Sequence, residues 1–89
     1  MATVHFPQTA ATYTQKTTVA FAAVVDGAPA TGEISAEALQ DHFGATSAAG
    51  AALVRSFNAN RGAIENVARR LLPARLAAGR GLLVTADFN

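Results

Sequence analysis

Residues 17–35 read "TTVAFAAVVDGAPATGEIS", and this stretch decides the fold. Val19, Phe21, Ala23 and Val25 fall at every second position, the period of a strand with one buried face. Asp26-Gly27 follows. Asp-Gly between two β-prone runs predicts a hairpin, because a type I′ turn needs positive φ at both central residues. A two-residue turn sets the register, with Val25 opposite Ala28 and Val19 opposite Ile34. Val19, Phe21, Ala23, Ala30 and Ile34 then share one face. Pro29 has no N–H to give to a ladder, so the second strand is expected at a sheet edge or irregularly paired near the turn.

Upstream, "TVHFP" (residues 3–7) alternates through Val4 and Phe6 and stops at Pro7, which predicts a short strand. "QTAATYTQK" (8–16) is small and polar and reads as a loop. Downstream the period changes. In "ISAEALQDHFG" (34–44) Ser35 is a good N-cap, Glu37 sits where the helix dipole favours an acid, and Gly44 closes the end. Leu39 and Phe43, four apart, give this helix an apolar face. Ser47 offers a second N-cap. From there Leu53, Phe57, Ile64, Val67, Ala68, Leu71 and Leu72 hold one helical phase. The phase runs through "NANRG" (58–62), which leaves two readings: one long helix, or a break near Asn58–Gly62. Pro73 is expected to end or kink the helix, and "PARLAAG" (73–79) to restart as a brief turn. "GLLVTADF" (81–88) reads as a final strand through Leu82, Leu83, Val84 and Thr85.

Strands at both ends with helices between predict an α+β domain spanning 1–89 as a single unit. Its sheet is small and antiparallel (N-terminal strand, hairpin, C-terminal strand), with two or three helices packed on one face. Eighty-nine residues bury roughly 60–65% of their unfolded surface, enough for one modest core. The chain has no cysteine, hence no disulfide and no thiolate chemistry. The longest apolar run, Val19 to Val25, is far short of the roughly 20 residues that span a bilayer. "MATVHFPQTA" has no basic n-region. A cytoplasmic protein without a membrane partner is the expectation.

Charge is divided along the chain. Lys16 against Asp26, Glu33, Glu37 and Asp41 gives residues 1–50 a charge of −3, and six arginines against Glu65 and Asp87 give residues 51–89 a charge of +4. Such a split marks an anion-binding surface or lets two halves of one domain attract each other. Nucleotide, zinc-protease and nucleophile-elbow motifs do not occur. Nothing places His5 and His42 together, and the helix dipole suits a histidine at position 42. Glu37 and Asp41 share a helix face that reads as solvated. No catalytic residue, cofactor or metal is expected. On a regular helix Arg61, Glu65 and Arg69 form a ladder worth about 0.2–0.5 kcal/mol per pair.

In order and spacing the chain resembles the small bacterial proteins grouped as domain of unknown function 1488. The resemblance rests on "VHFP", "VAFAAVVDGAPATGEIS", "ISAEALQDHFG", "LVRSFNANRGAIENVARRLL" and "LLVTADF". It implies a compact α+β domain from a proteobacterium, and it does not imply an activity, because the family is uncharacterised. It also implies a structural role for Phe57, Arg61, Ile64 and Glu65, with Arg61 meeting Glu65. Tyr13 stands in the region where such proteins often carry a tryptophan.

Two functions remain. The first is a non-enzymatic domain that binds another protein or a second copy of itself. It would use the edge-like strand "APATGEIS" (28–35) and the small-residue helix start "SAAGAALV" (47–54). The second is a nucleic-acid accessory protein, with Arg55, Arg61, Arg69, Arg70 and Arg75 as the anion contacts.

Overall fold

The computed structural model describes residues 3–88; Met1, Ala2 and Asn89, at the ends of the expected domain, lie outside them. The elements run β1 (Val4–His5), β2 (Thr12–Tyr13), β3 (Thr18–Val25), β4 (Ala28–Ser35), α1 (Ala36–His42), α2 (Gly50–Ala59), α3 (Arg61–Arg75) and β5 (Arg80–Leu83). A 3-10 turn (Thr85–Phe88) follows. The fold is α+β: a five-stranded, mostly antiparallel sheet with three helices.

The hairpin of β3 and β4 has the expected register, Val19 opposite Ile34 and Val25 opposite Ala28. Asp26 and Gly27 take φ of 51° and 82°, the left-handed pair a type I′ turn demands. The Asp26 carboxylate also accepts the Thr3 N–H at 2.8 Å, which ties the turn to the start of β1. β1 and β2 both pair with β3, on the side away from β4. Val19, Phe21 and Ala23 are buried beneath the helices with Ile34, and Ala30 packs against them. The Phe21 ring stacks on Phe57 of α2, centroids 5.1 Å apart. Burial of Val19, Phe21 and Ile34 stabilises the fold by about 1.5–3 kcal/mol each. Gly32 lies directly under the Phe21 ring, where an added Cβ would stand 2.5 Å from Cζ.

Several expectations need correction. The 8–16 segment is not wholly loop, since Thr12 and Tyr13 pair with Ala20 and Val19. β4 is an edge only over its first residues, because β5 covers Thr31–Ile34. Pro29 fits there for a physical reason. The hairpin closes on a hydrogen-bonded pair at Val25 and Ala28, so the position of Pro29 opposite Val24 points its nitrogen away from β3. The closing strand begins at Arg80 and stops at Leu83, and it lies parallel to β4, not antiparallel. Parallel neighbours need a long crossover, and α1 to α3 supply it.

Ser35 caps α1 as expected, its Oγ accepting the Ala38 N–H at 3.1 Å. Ser47 does not cap α2. Its Oγ accepts from Ala49 N, and the helix begins at Gly50. The long helix does break: Asn60 leaves helical geometry at φ −125° and ψ 19°. Its side-chain amide donates to the carbonyls of Ser56 and Phe43, so the break is held from the C-cap of α1 as well as from α2. Pro73 neither ends nor restarts a helix, since α3 runs on to Arg75. In this last turn it removes only the bond to the Arg69 carbonyl, on an exposed residue.

Candidate functional site

Helices cover one face of the sheet, and the other face is open. Along β3 the alternation assigns Thr18, Ala20, Ala22 and Val24 to the open side. Thr31 and Glu33 of β4, Arg80 and Leu82 of β5, and Thr12 of β2 join them by register. An exposed antiparallel face usually alternates with long polar side chains. Here the middle strand presents alanine, alanine and valine, and Leu82 stands out from β5 with 44% of its surface exposed.

Glu33 is the exception in chemistry, and it is closed off. Only 5% of it is exposed. Its Oε1 accepts the Thr18 hydroxyl at 2.6 Å and its Oε2 accepts Arg80 Nε at 2.9 Å. Thr18 spends its proton on Glu33, so Thr14 is the donor in the 2.7 Å contact between the two hydroxyls. The Thr18 hydrogen bond, with Arg80 beside it, holds the Glu33 carboxyl below its ordinary pKa against the opposing effect of burial. The face therefore carries an anion with its own cation, and Lys16 also acts on that anion.

A recess of about 170 Å³ opens beside the middle strand, lined by Thr9, Ala10, Thr12, Ala20, Phe21, Ala22 and Thr31. It arises from a gap in pairing. β1 reaches Val24 and Val25, β2 reaches Val19 and Ala20, and neither stands opposite Ala22. Asp26 N donates to Thr3 O and Thr18 O accepts from Thr14 N, so the even residues of β3 turn their backbone groups to this side. Those of Ala22 face the recess.

The arginines do not form one surface. Arg61 bonds Glu65 at 3.0 Å, donates to the carbonyls of Thr9 and Pro7, and lies over the Phe57 ring. The expected Arg61–Glu65 pair is present. The next rung is not, because Arg69 turns to Asn66 Oδ1 and covers Phe6. Arg75 grips Asp87 with both terminal nitrogens, and this ion pair lowers the Asp87 pKa. Asp87 in turn accepts Val84 N–H and closes the last turn. Arg55 and Arg70 have no acidic partner among the described residues. Arg55 borders a cleft of about 230 Å³ beside the α1–α2 connection, with Ala45, Thr46 and Ala59.

Reading the sequence missed the Glu33 group. The hairpin register already puts Glu33 diagonal to Thr18 on one face. Arg80 joins them only once β5 is known to lie parallel beside β4. Tyr13, in the region where the resemblance places a tryptophan, rests its ring against Gly50 at the start of α2 and stays 46% exposed. The small-residue start of α2 is thus partly covered from within.

Among the described residues, no three histidines or acids gather to hold a metal ion, and no helix is long and apolar enough to cross a membrane. No curated protein and no solved structure matches the chain. A family model does match, over residues 4–84, and the chain belongs to that family, described as protein of unknown function DUF1488.

Proposed function

We propose that this is a small cytoplasmic domain that acts by binding protein, through the open face of its sheet, without catalysing a reaction. One observation carries the reading. β3 is apolar on both faces, the composition of a strand buried on both sides, yet the helices cover only one. Tight pairing of Glu33 with Arg80, Glu65 with Arg61 and Asp87 with Arg75 supports a non-enzymatic role, since these carboxylates are engaged within the chain. The test is capture from a lysate of the source organism on immobilised wild-type protein and on Ala22→Arg. A partner held by the first and lost by the second supports the face. Identical capture by both counts against it.

A second reading, nucleic-acid contact through Arg55, Arg69 and Arg70, draws support from the +4 charge of residues 51–89. It has less behind it, because Arg61 and Arg75 are engaged within the fold and Arg69 turns to Asn66 and Phe6. Titration into labelled duplex and single-stranded DNA at low and moderate salt tests it. Binding that weakens steeply with salt is its signature.

A further inference from the structure

We propose that the last turn, Thr85–Phe88, is an edge guard. Latched by Arg75, it covers the outer edge of β5 and keeps a second copy from adding its own β5 there. This concerns the rim of the sheet and is independent of its open face. A bare rim strand is a template for pairing, because its outward N–H and C=O groups have no partner. The far rim is broken into β1 and β2, two residues each, and strands that short protect themselves. β5 is the longer rim. It bears Leu82, with Val84 just beyond, at 44% and 39% exposure.

The main-chain groups of this rim sort by direction. Thr31 N donates to Gly79 O across the parallel ladder, so Gly79, Gly81 and Leu83 turn toward β4. Arg80, Leu82 and Val84 turn outward, and nearly every outward group is taken. Ala77 exchanges both bonds with Arg80. Arg75 Nη1 donates to Leu82 O at 3.3 Å. Asp87 accepts the Val84 N–H on its carboxylate at 2.8 Å and gives its own N–H to Val84 O at 3.0 Å. Leu82 N–H alone lacks a partner among the described residues. The turn is held at both ends. Arg75 binds Asp87 through both terminal nitrogens, and the Phe88 ring stands edge-on to Phe43, centroids 5.2 Å apart. One arginine, delivered by the end of α3, thus caps the Leu82 carbonyl and latches the turn over Val84.

The covered groups show what is excluded. Two copies of β5 laid antiparallel about a two-fold axis at Leu83 would set Leu82 of each opposite Val84 of the other. Each such pair would exchange both main-chain bonds. The two side chains lie on one face, so each pair would also be an apolar cross-strand contact.

Wild type is compared with an opened variant, Arg75→Ala with Asp87→Ala, by amide exchange and by sedimentation equilibrium up to about 1 mM. In the opened variant the Val84 N–H should exchange about tenfold faster or more, while Gly81 and Leu83, bonded to β4, stay protected. The opened variant should associate at least about tenfold more tightly than wild type. Adding Leu82→Lys to it should restore the wild-type mass, because a charge on a rim strand blocks pairing. Loss of protection at Gly81 and Leu83 would mean that the sheet itself has failed, and Arg75→Ala alone then takes the double variant's place. Unchanged exchange at Val84 overturns the latch. A variant that opens and keeps the wild-type mass overturns the guard, and so does association that Leu82→Lys leaves intact.

Discussion

The two faces of one strand, β3, are held by different physics. Val19, Phe21 and Ala23 face the helices and are fitted by volume: the Phe21 ring lies between Gly32 below and Phe57 above. Thr18, Ala20 and Ala22 face the other way, where side chains are short and the one carboxylate is neutralised by Arg80. The covered face is filled by stacked rings, whereas the open face leaves Ala20 and Ala22 half-buried beside a recess. A substitution one residue along the strand therefore meets a different penalty.

The largest break in this contrast is Phe57→Ala. It removes the ring that Phe21 stacks on and should cost about 3–5 kcal/mol, read as a lowered urea midpoint. Gly32→Ala comes next, at about 1–3 kcal/mol, because the added methyl must displace a buried ring. On the open face Glu33→Gln should cost about 1–2 kcal/mol near neutral pH, less than a buried pair usually would, since the Arg80 side chain is half exposed. It should also change the pH profile. The Glu33 pKa is lowered in the folded state, so its contribution is complete above the ordinary glutamate value of about 4.3 and is lost as pH falls through the folded value. Urea midpoints measured from pH 6 down to about pH 3 should fall less for Glu33→Gln than for wild type. Asp87 keeps an acid dependence of its own, so the variant is not flat. The smallest effect sharpens the comparison most. Ala22→Val should stay within about 0.5 kcal/mol of wild type, while Ala23→Val overpacks the core and costs about 1–3 kcal/mol.

Most of the fold was legible where neighbours in sequence decide it. The hairpin register follows from Asp26-Gly27 and the alternation around it. Ser35 caps its own helix three residues on. Legibility fails where distant residues decide. The apolar phase is kept on both sides of Asn60, so periodicity cannot reveal a break that the Phe43 carbonyl helps to hold. The direction of β5 depends on how three helices return the chain, and no local signal encodes it. The candidate surface was half visible. A strand apolar on both faces can be read from "VAFAAVV", but which face the helices choose is a tertiary outcome. The arginines look like one basic stripe in sequence and separate in space, because Arg61, Arg69 and Arg75 each turn to groups of their own chain.

The parallel pairing of β5 also orders events in time. Val25 and Ala28 meet across a two-residue turn, while Thr31 and Arg80 must find each other across the whole helical half of the chain. Hairpins close in roughly 1–10 μs, and long-range pairing is slower because loop-closure entropy is lost before any contact forms. The middle of the sheet can thus form early, with β5 arriving last. Until it does, Glu33 lacks Arg80 and the later part of β4 is a bare edge. A stalled or truncated chain would expose an unpaired strand beside an uncompensated carboxylate, and its own negative charge would then be what keeps two such chains from joining edge to edge.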